Sequence, residues 1–147
     1  MPAGPWFDRL SGGRYNRRMR LSSTQMTRLE ELGVSLVYLF GSYAEGVVSP
    51  SSDLDLGVVF TVVPQDHVQA YQALYDLFTD AFPHRQLDIV LLQQASLELR
   101  GDAIRHGTVL YESSLEARAV FEERTMLACA DFAPLQREID RAIVART

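Results

Sequence analysis

The chain contains no lysine, because all fourteen of its basic residues are arginine. This absence excludes every mechanism that needs a side-chain amine, such as Schiff-base chemistry or a P-loop lysine, and leaves arginine or backbone N–H groups to contact phosphate. The single cysteine, Cys129, cannot form an internal disulfide, and no motif makes it a nucleophile. The three histidines, at positions 67, 84 and 106, lack the spacing of a zinc site.

Long apolar runs are also missing. No apolar stretch approaches the roughly eighteen residues that a transmembrane helix needs, and the N-terminus lacks the apolar core of a signal peptide. We therefore expect a cytoplasmic protein that does not enter a membrane. With 147 residues, 47% of them hydrophobic and 22% charged, the chain is expected to fold as one globular domain.

Charge is distributed unevenly along the chain. Residues 1–30 carry six arginines and two acids, for a net charge of +4, whereas residues 31–147 carry eight arginines and seventeen acids, for −9. An acidic body argues against direct binding of nucleic acid, since nucleic acid is itself an anion. Residues 1–22 are rich in arginine and lack hydrophobic periodicity, which predicts a flexible arm ahead of a domain over residues 23–147.

The rest of the chain alternates between helical and strand patterns. Helices are predicted over 23–32, 65–81, 96–106 and 114–145, the last bent or split near Pro134, and strands over 34–40, 53–63, 87–92 and 108–111. This order predicts an α/β fold in which helices flank a mixed sheet and a helical segment follows at the C-terminus. Past Pro134, an apolar stripe can lie against the core or against a partner, and we expect the core; the stripe comprises Leu135, Ile139, Ala142 and Ile143.

Two carboxylates are predicted to share one face of the second strand. Side chains on a strand alternate between faces, so Asp53 and Asp55 project to the same side, roughly 6 to 7 Å apart. Like charges this close oppose each other's ionisation unless a cation lies between them, and Mg²⁺ takes carboxylate and phosphate oxygens as ligands. Gly41-Ser42 forms a small-residue turn after an apolar strand, where backbone N–H groups can approach a phosphate. These features predict a site for a metal ion and a nucleotide.

The pattern Gly-Ser, ten residues and Asp-x-Asp, at Gly41-Ser42 and Asp53–Asp55, resembles the signature of the nucleotidyltransferase superfamily that includes DNA polymerase β. Within it, the chain resembles the minimal nucleotidyltransferases (MNT), and residues 105–112 and 121–132 look like the C-terminal half of MNT antitoxins that are paired with HEPN toxins. The resemblance implies a polymerase β-like core and a third carboxylate on a later strand, which is Asp88 here. It implies that Asp53, Asp55 and Asp88 are catalytic and hold Mg²⁺, as two ions, and that Gly41 and Ser42 bind the nucleotide.

The activity that the resemblance implies is transfer of AMP from ATP to a tyrosine of a HEPN ribonuclease toxin, which inactivates the toxin. Two alternatives remain open: an antitoxin that neutralises its partner by contact alone, and an adenylyltransferase of small molecules. Glu45 stands where MNT antitoxins often have a basic residue, which bears on nucleotide affinity rather than on metal binding. A small-molecule enzyme normally has an additional acceptor-binding domain, for which 147 residues leave little room.

Overall fold

The computed structural model describes residues 19–41 and 53–146. Ser42, Glu45 and the first eighteen residues lie outside these ranges, so the expectations for them stay predictions. The elements in chain order are helix α1 (Ser23–Glu31), strand β1 (Val34–Phe40), strand β2 (Leu54–Phe60), helix α2 (His67–Ala81), strand β3 (Leu87–Leu91), a 3₁₀ turn (Leu92–Gln94), helix α3 (Leu97–His106), strand β4 (Thr108–Glu112) and helix α4 (Leu115–Ala145).

Within the described ranges, four strands form one mixed sheet in the order β3-β2-β1-β4. β1 pairs antiparallel with both β2 and β4, whereas β2 and β3 are parallel. A parallel pair needs a crossover connection, which α2 supplies. β1 thus lies in the interior of the sheet, and all seven of its residues are buried, as its nearly continuous apolar sequence predicts. The predicted α/β fold with a mixed sheet is confirmed.

Helices cover both faces of the sheet. On one face, Leu29 of α1 and Phe78 of α2 join alternate strand residues in the larger hydrophobic core. On the other face, Ala103 of α3 and Phe121 of α4 pack with the remaining strand residues, which include Tyr38. No helix in the described part of the chain combines the length and apolarity needed to span a bilayer.

Serine caps explain where three of the helices begin. Ser22 accepts a hydrogen bond from the backbone N–H of Gln25, whose side chain accepts one from the N–H of Ser22, so that two otherwise unpaired donors are satisfied. Ser96 caps α3 and Ser114 caps α4 through the equivalent side-chain bond. α1 is followed by Gly33, whose φ of 81° suits the residue after a helix end. The predicted starts of these helices are therefore close to the observed ones.

α4 is one helix of 31 residues and continues through Pro134. The helix is therefore not split at this residue, and the alternative of a bend stays a prediction. Proline removes one N–H donor from the helix and leaves the carbonyl group four residues earlier without its usual partner. That carbonyl belongs to Ala130, which is exposed, so water can satisfy it. A continuous helix is therefore tolerated here.

β2 ends at Phe60 and not at the predicted Val63. The side chain of Gln93 takes over the pairing at this point: its Oε1 accepts from the Phe60 N–H at 2.8 Å, and its Nε2 donates to the Phe60 carbonyl at 2.6 Å. The Gln93 side-chain amide thus occupies the backbone groups of Phe60 that a residue of β3 would otherwise pair with, and β2 ends at this residue. This substitution involves residues 33 positions apart and has no local sequence signal.

Two residues ahead of α1 contribute to the core. Met19 and Leu21 are buried in the larger core, whereas the predicted arm covers residues 1–22. The chain therefore contributes apolar side chains to the core from residue 19 onward, and the division of the chain at residue 22 stays a prediction.

The apolar stripe beyond Pro134 does not pack against the core, contrary to the prediction. Every residue from 130 to 146 is exposed. α4 is packed against α3 as far as Cys129, which is half-buried and lies with its Sγ 3.9 Å from the carbonyl oxygen of Leu97. The remaining 17 residues of the helical segment, about 25 Å at 1.5 Å per residue, extend past the part of the domain that could cover them.

Candidate functional site

The turn after β1 requires glycine at position 41. The φ angle of Gly41 is 78°, a left-handed conformation that residues with a Cβ atom disfavour. A Cβ atom at this position would overlap Oδ2 of Asp55. The backbone of Gly41 therefore packs directly against the Asp55 carboxyl group, which is possible only because no side chain is present.

Strand pairing brings the predicted carboxylates to this turn. Asp55 lies opposite Phe40 of β1 and opposite Asp88 of β3. Adjacent strands are about 4.8 Å apart, so Asp55 and Asp88 are direct neighbours on one face of the sheet. Asp53 immediately precedes β2 and lies two residues from Asp55, which directs it to the same side. Since Leu54 and its alternates fill the larger core, the three aspartates project on the opposite face, where α3 and α4 pack.

The Asp55 carboxyl group has a pKa above its ordinary value. Burial is the largest cause, followed by repulsion from Asp88 and then from Asp53, together with a side-chain hydrogen bond to Asp88. A hydrogen bond between two carboxyl groups needs a proton on one of them, so Asp55 retains its proton more readily than an isolated aspartate does. Asp53 and Asp88 are exposed. Burial and repulsion from the two neighbouring carboxylates therefore oppose the ionisation of Asp55.

The donor set of this cluster suits a hard divalent cation. Within residues 19–41 and 53–146, no three His, Cys, Asp or Glu side chains already form a complete metal site. Mg²⁺, however, is usually held by one or two carboxylates and completes its coordination with water and substrate phosphates. Asp53, Asp55 and Asp88 offer such carboxylate oxygens, and their mutual repulsion is what a cation would relieve. The residues therefore fit Mg²⁺ bound together with a nucleotide better than Mg²⁺ alone.

Two basic pairs border the same end of the sheet, and the sequence analysis missed both. His84 and Arg85 precede β3, whose first residue lies opposite the start of β2. Arg105 and His106 precede β4, which begins opposite Leu39, two residues before the Gly41 turn. His84 and Arg85 lie between α2 and β3, whereas Arg105 and His106 are in the last turn of α3, where Arg105 lies 3.8 Å from Asp102. The strand order brings both pairs to the end of the sheet that carries the carboxylates. Their position directly ahead of two predicted strands is the one clue that the sequence offers.

Comparison with known proteins agrees with this arrangement. Residues 26–116 match the family model described as polymerase beta, nucleotidyltransferase. No curated protein matches the chain. Among solved structures, a chain from a toxin–antitoxin complex with AMP-PNP is similar, with a TM-score of 0.63, 24% identity and coverage of 84% of this chain and 99% of that one. A chain from the complex of a tri-AMPylated Shewanella oneidensis HEPN toxin with an MNT antitoxin is also similar, with a TM-score of 0.56, 22% identity and coverage of 84% and 99%.

These structural similarities show a shared fold, and the family model adds the family. The matched segment runs from α1 to the first turn of α4, so it contains the whole sheet that the structure describes. It also contains Gly41, Asp53, Asp55 and Asp88, the residues that meet at the end of β1. The family model therefore covers well over half of the chain, including the sheet and the residues of the candidate site. The chain belongs to the polymerase β-type nucleotidyltransferase family.

Proposed function

We propose that this chain transfers AMP from ATP to a tyrosine of a HEPN-domain toxin and so inactivates the toxin. The observation that carries the proposal is the meeting of Asp53, Asp55 and Asp88 at the side-chain-free turn of Gly41. Membership of the family supports nucleotidyl transfer as the reaction. The similar structures, one with AMP-PNP and one with a tri-AMPylated HEPN toxin, support ATP as donor and the toxin as acceptor.

Each residue of the proposed site has a separate task. Gly41, together with Ser42, lets backbone N–H groups approach the β- and γ-phosphates of ATP. Asp53, Asp55 and Asp88 would hold Mg²⁺, and the bound ion would supply positive charge against the phosphate oxygens. Asp88, exposed beside Asp55, also accepts the proton of the attacking hydroxyl group.

The proposed reaction is a displacement at the α-phosphorus of ATP. The tyrosine oxygen forms a bond to that phosphorus, the bond from the phosphorus to pyrophosphate breaks, and the tyrosine proton passes to the Asp88 carboxylate. The chain's contribution is to hold the two reactants in line, which makes the transfer nearly intramolecular. Because Asp53 and Asp88 are exposed, a tyrosine on a second macromolecule can reach them.

The acidic body of the chain favours a basic partner. Residues 31–147 carry a net charge of −9. A ribonuclease surface that binds RNA is positively charged, so the two surfaces are complementary and encounter each other rapidly. Electrostatics therefore supports the HEPN toxin as acceptor and argues against nucleic acid as a direct ligand of this domain.

The transfer is tested by mixing the chain with ATP, Mg²⁺ and a HEPN-domain toxin. We expect intact-mass spectrometry to show one or a few added adenylyl groups on a toxin tyrosine, and we expect the loss of ribonuclease activity to persist after the proteins are separated. Asp53→Asn/Asp55→Asn is expected to add no mass. Asp76→Asn/Asp80→Asn, which makes the same charge change on the exposed side of α2, is expected to transfer as wild type does.

Two outcomes contradict the proposed reaction. If Asp53→Asn/Asp55→Asn neutralises the toxin as fully as wild type and no mass is added by either protein, the chain acts by contact alone. If the toxin stays unmodified while an aminoglycoside or another small hydroxyl compound is adenylylated, the acceptor is a small molecule.

Nucleotide binding is tested separately by thermal unfolding. Mg²⁺ with ATP at a hundredfold excess over the Kd is expected to stabilise the wild-type chain by about 2.7 kcal/mol. Asp53→Asn/Asp55→Asn should lose this stabilisation and remain folded. No stabilisation by any nucleoside triphosphate with Mg²⁺ would contradict a nucleotide site at Gly41.

A further inference from the structure

The C-terminal half of α4 presents an exposed apolar face. Its large apolar side chains recur at intervals of three or four residues, and so they lie on one side of the helix. Their exposed fractions are 44% for Phe132, 51% for Leu135, 42% for Ile139 and 59% for Ile143. We call these four residues the docking stripe. An isolated helix of this length is only marginally stable in water, and here it also contains a proline, so its stability calls for packing against another surface.

Acidic side chains lie along both edges of the docking stripe. At about 100° per residue, Asp131 and Glu138 lie along one edge of the stripe and Asp140 lies along the other. Gln136 donates a hydrogen bond to Oδ1 of Asp140 at 2.9 Å, which holds that carboxylate beside the stripe. Arg137 and Arg141 lie on the opposite side of the helix. Arg146, which follows the last helical residue, lies seven positions after Ile139 and therefore on the side of the stripe, at its C-terminal end. The face that contains the stripe is therefore apolar at its centre and acidic at both edges.

A second copy of the chain fits this pattern poorly. Antiparallel pairing of two docking stripes would place the edge that carries Asp131 and Glu138 beside the same edge of the other copy, so like charges would face each other. Parallel pairing would bring the two bodies together, each with most of the net charge of −9 that residues 31–147 carry. An apolar groove with basic rims on a different protein satisfies both the stripe and its acidic edges.

We propose that the docking stripe binds an apolar, basic-rimmed groove on the protein that accepts the nucleotidyl group. An amphipathic helix that lays its apolar face into a groove through residues spaced like these is a common mode of protein recognition. The inference rests on the proposed function, because it takes the acceptor to be that HEPN-domain protein. In this proposal, the carboxylates at the end of the sheet perform the transfer, and α4 keeps the acceptor bound. The acceptor tyrosine is therefore present at the site at a high effective concentration.

The test uses the full chain and the HEPN-domain toxin of the proposed transfer. Leu135→Glu/Ile139→Glu places two carboxylates in the docking stripe, at positions exposed enough to leave folding intact. The matched control, Arg137→Ala/Arg141→Ala, changes the net charge by the same amount on the opposite side of the helix. Isothermal titration calorimetry should show the Kd for the toxin raised about hundredfold by the stripe variant and changed by less than about fivefold by the control.

Kinetics and mass measurements complete the test. The stripe variant should raise the KM for the toxin and leave the stabilisation by Mg²⁺ and ATP unchanged, because the nucleotide site is untouched. Wild-type Kd and KM in the stripe variant would overturn the docking inference and leave the proposed transfer standing. A wild-type dimer in light scattering that the stripe variant dissociates would overturn it in favour of a second copy. A wild-type chain that neither binds nor modifies the toxin would overturn both proposals.

Discussion

Replacing Gly41 with alanine would place a methyl group where the Asp55 carboxyl group lies, at a φ angle of 78°. We expect Gly41→Ala to lower the free energy of unfolding by about 2 kcal/mol or more and to abolish the stabilisation by Mg²⁺ and ATP. Thermal unfolding with and without the nucleotide measures both effects.

Gly33 provides the matched control for this substitution. Its φ angle is 81°, but an added Cβ atom would meet nothing within 4 Å. Gly33→Ala should therefore show only the cost of the left-handed backbone, about 1 kcal/mol, and should keep the nucleotide response. If Gly41→Ala behaved like Gly33→Ala, close packing of the turn against Asp55 would have no part in binding.

Asp55 makes the stability of the metal-free protein depend on pH. Burial and repulsion from Asp88 and Asp53 raise its pKa in the folded state. A carboxyl group of this kind favours folding below its unfolded pKa of about 3.9, and this contribution is lost as the pH rises through the higher folded pKa. Asp55→Asn resembles the protonated form, so its stability should decline less than that of wild type as the pH rises from about 4 to 7.

Urea unfolding in the presence of a chelator measures this difference between Asp55→Asn and wild type. Asp80→Asn, on the exposed side of α2, makes the same charge change away from the cluster and should follow the wild-type curve. Parallel curves for all three proteins would show that the carboxylates do not interact in the folded state.

Among the elements, β1 and α4 are joined by a buried polar cluster. The Tyr38 hydroxyl donates to Oε1 of Glu122 at 2.9 Å, and Nε of Arg118 donates to the same atom at 2.9 Å. Arg118 also lies 3.6 Å from Glu112 of β4. Burial, and next the negative charge of Glu122, raise the pKa of Tyr38. The cluster fixes the packed half of α4 on the sheet and so determines where residues 130–146 leave the domain.

Removing the Tyr38 hydroxyl tests how far this cluster stabilises the fold. Tyr38→Phe keeps the ring against Phe121 but leaves Glu122 with one donor fewer, so we expect a loss of about 1–2 kcal/mol in the free energy of unfolding. Tyr75→Phe, at an exposed position on α2, should change it little. Chemical denaturation compares the two variants, and equal stabilities would show that the Tyr38 bond contributes nothing.

Elements with local signals were predictable from the sequence. The continuous apolar run of β1, the serine caps and Gly33 each act within a few residues, so the bounds of β1 and the starts of α1, α3 and α4 agree with the structure to within a residue or so. The shared side of Asp53 and Asp55 follows from strand alternation alone. Asp88 is different, because its pairing with Asp55 depends on a register between strands more than thirty residues apart, and only the family resemblance pointed to it.

The remaining features depend on contacts that periodicity does not encode. Apolar spacing indicates that a helix has one apolar face, but it does not say whether anything covers that face. α2 shows this, because Val68, Tyr71, Leu74 and Phe78 recur at intervals of three or four residues. Leu74 and Phe78 are buried, whereas Val68 and Tyr71 are exposed. The stripe beyond Pro134 shows it more strongly, since all of it lies in an exposed segment.

For the whole molecule, the N-terminal boundary gives a direct prediction. Deleting residues 1–18 should leave the melting temperature and the transfer activity unchanged. Deleting residues 1–21 also removes Met19 and Leu21 from the larger core, and should cost about 3 kcal/mol or more. Met19→Ala/Leu21→Ala in the full chain should reproduce most of that loss. Equal melting temperatures for the two truncated proteins would show that the core does not need these side chains.

The interior position of β1 has a consequence for the timing of motion in this molecule. β1 is hydrogen-bonded along both edges and buried throughout, so its amide hydrogens should exchange with solvent only when the whole domain opens. Amides of residues 130–146 should exchange far sooner, as native-state hydrogen exchange would record. Gly41 directly follows β1, so the turn that we propose to bind phosphate is attached to the strand that should unfold last. The proposed binding of a nucleotide there would need little ordering of the chain, and the slower conformational adjustment in the proposed transfer would fall to α4 and its acceptor.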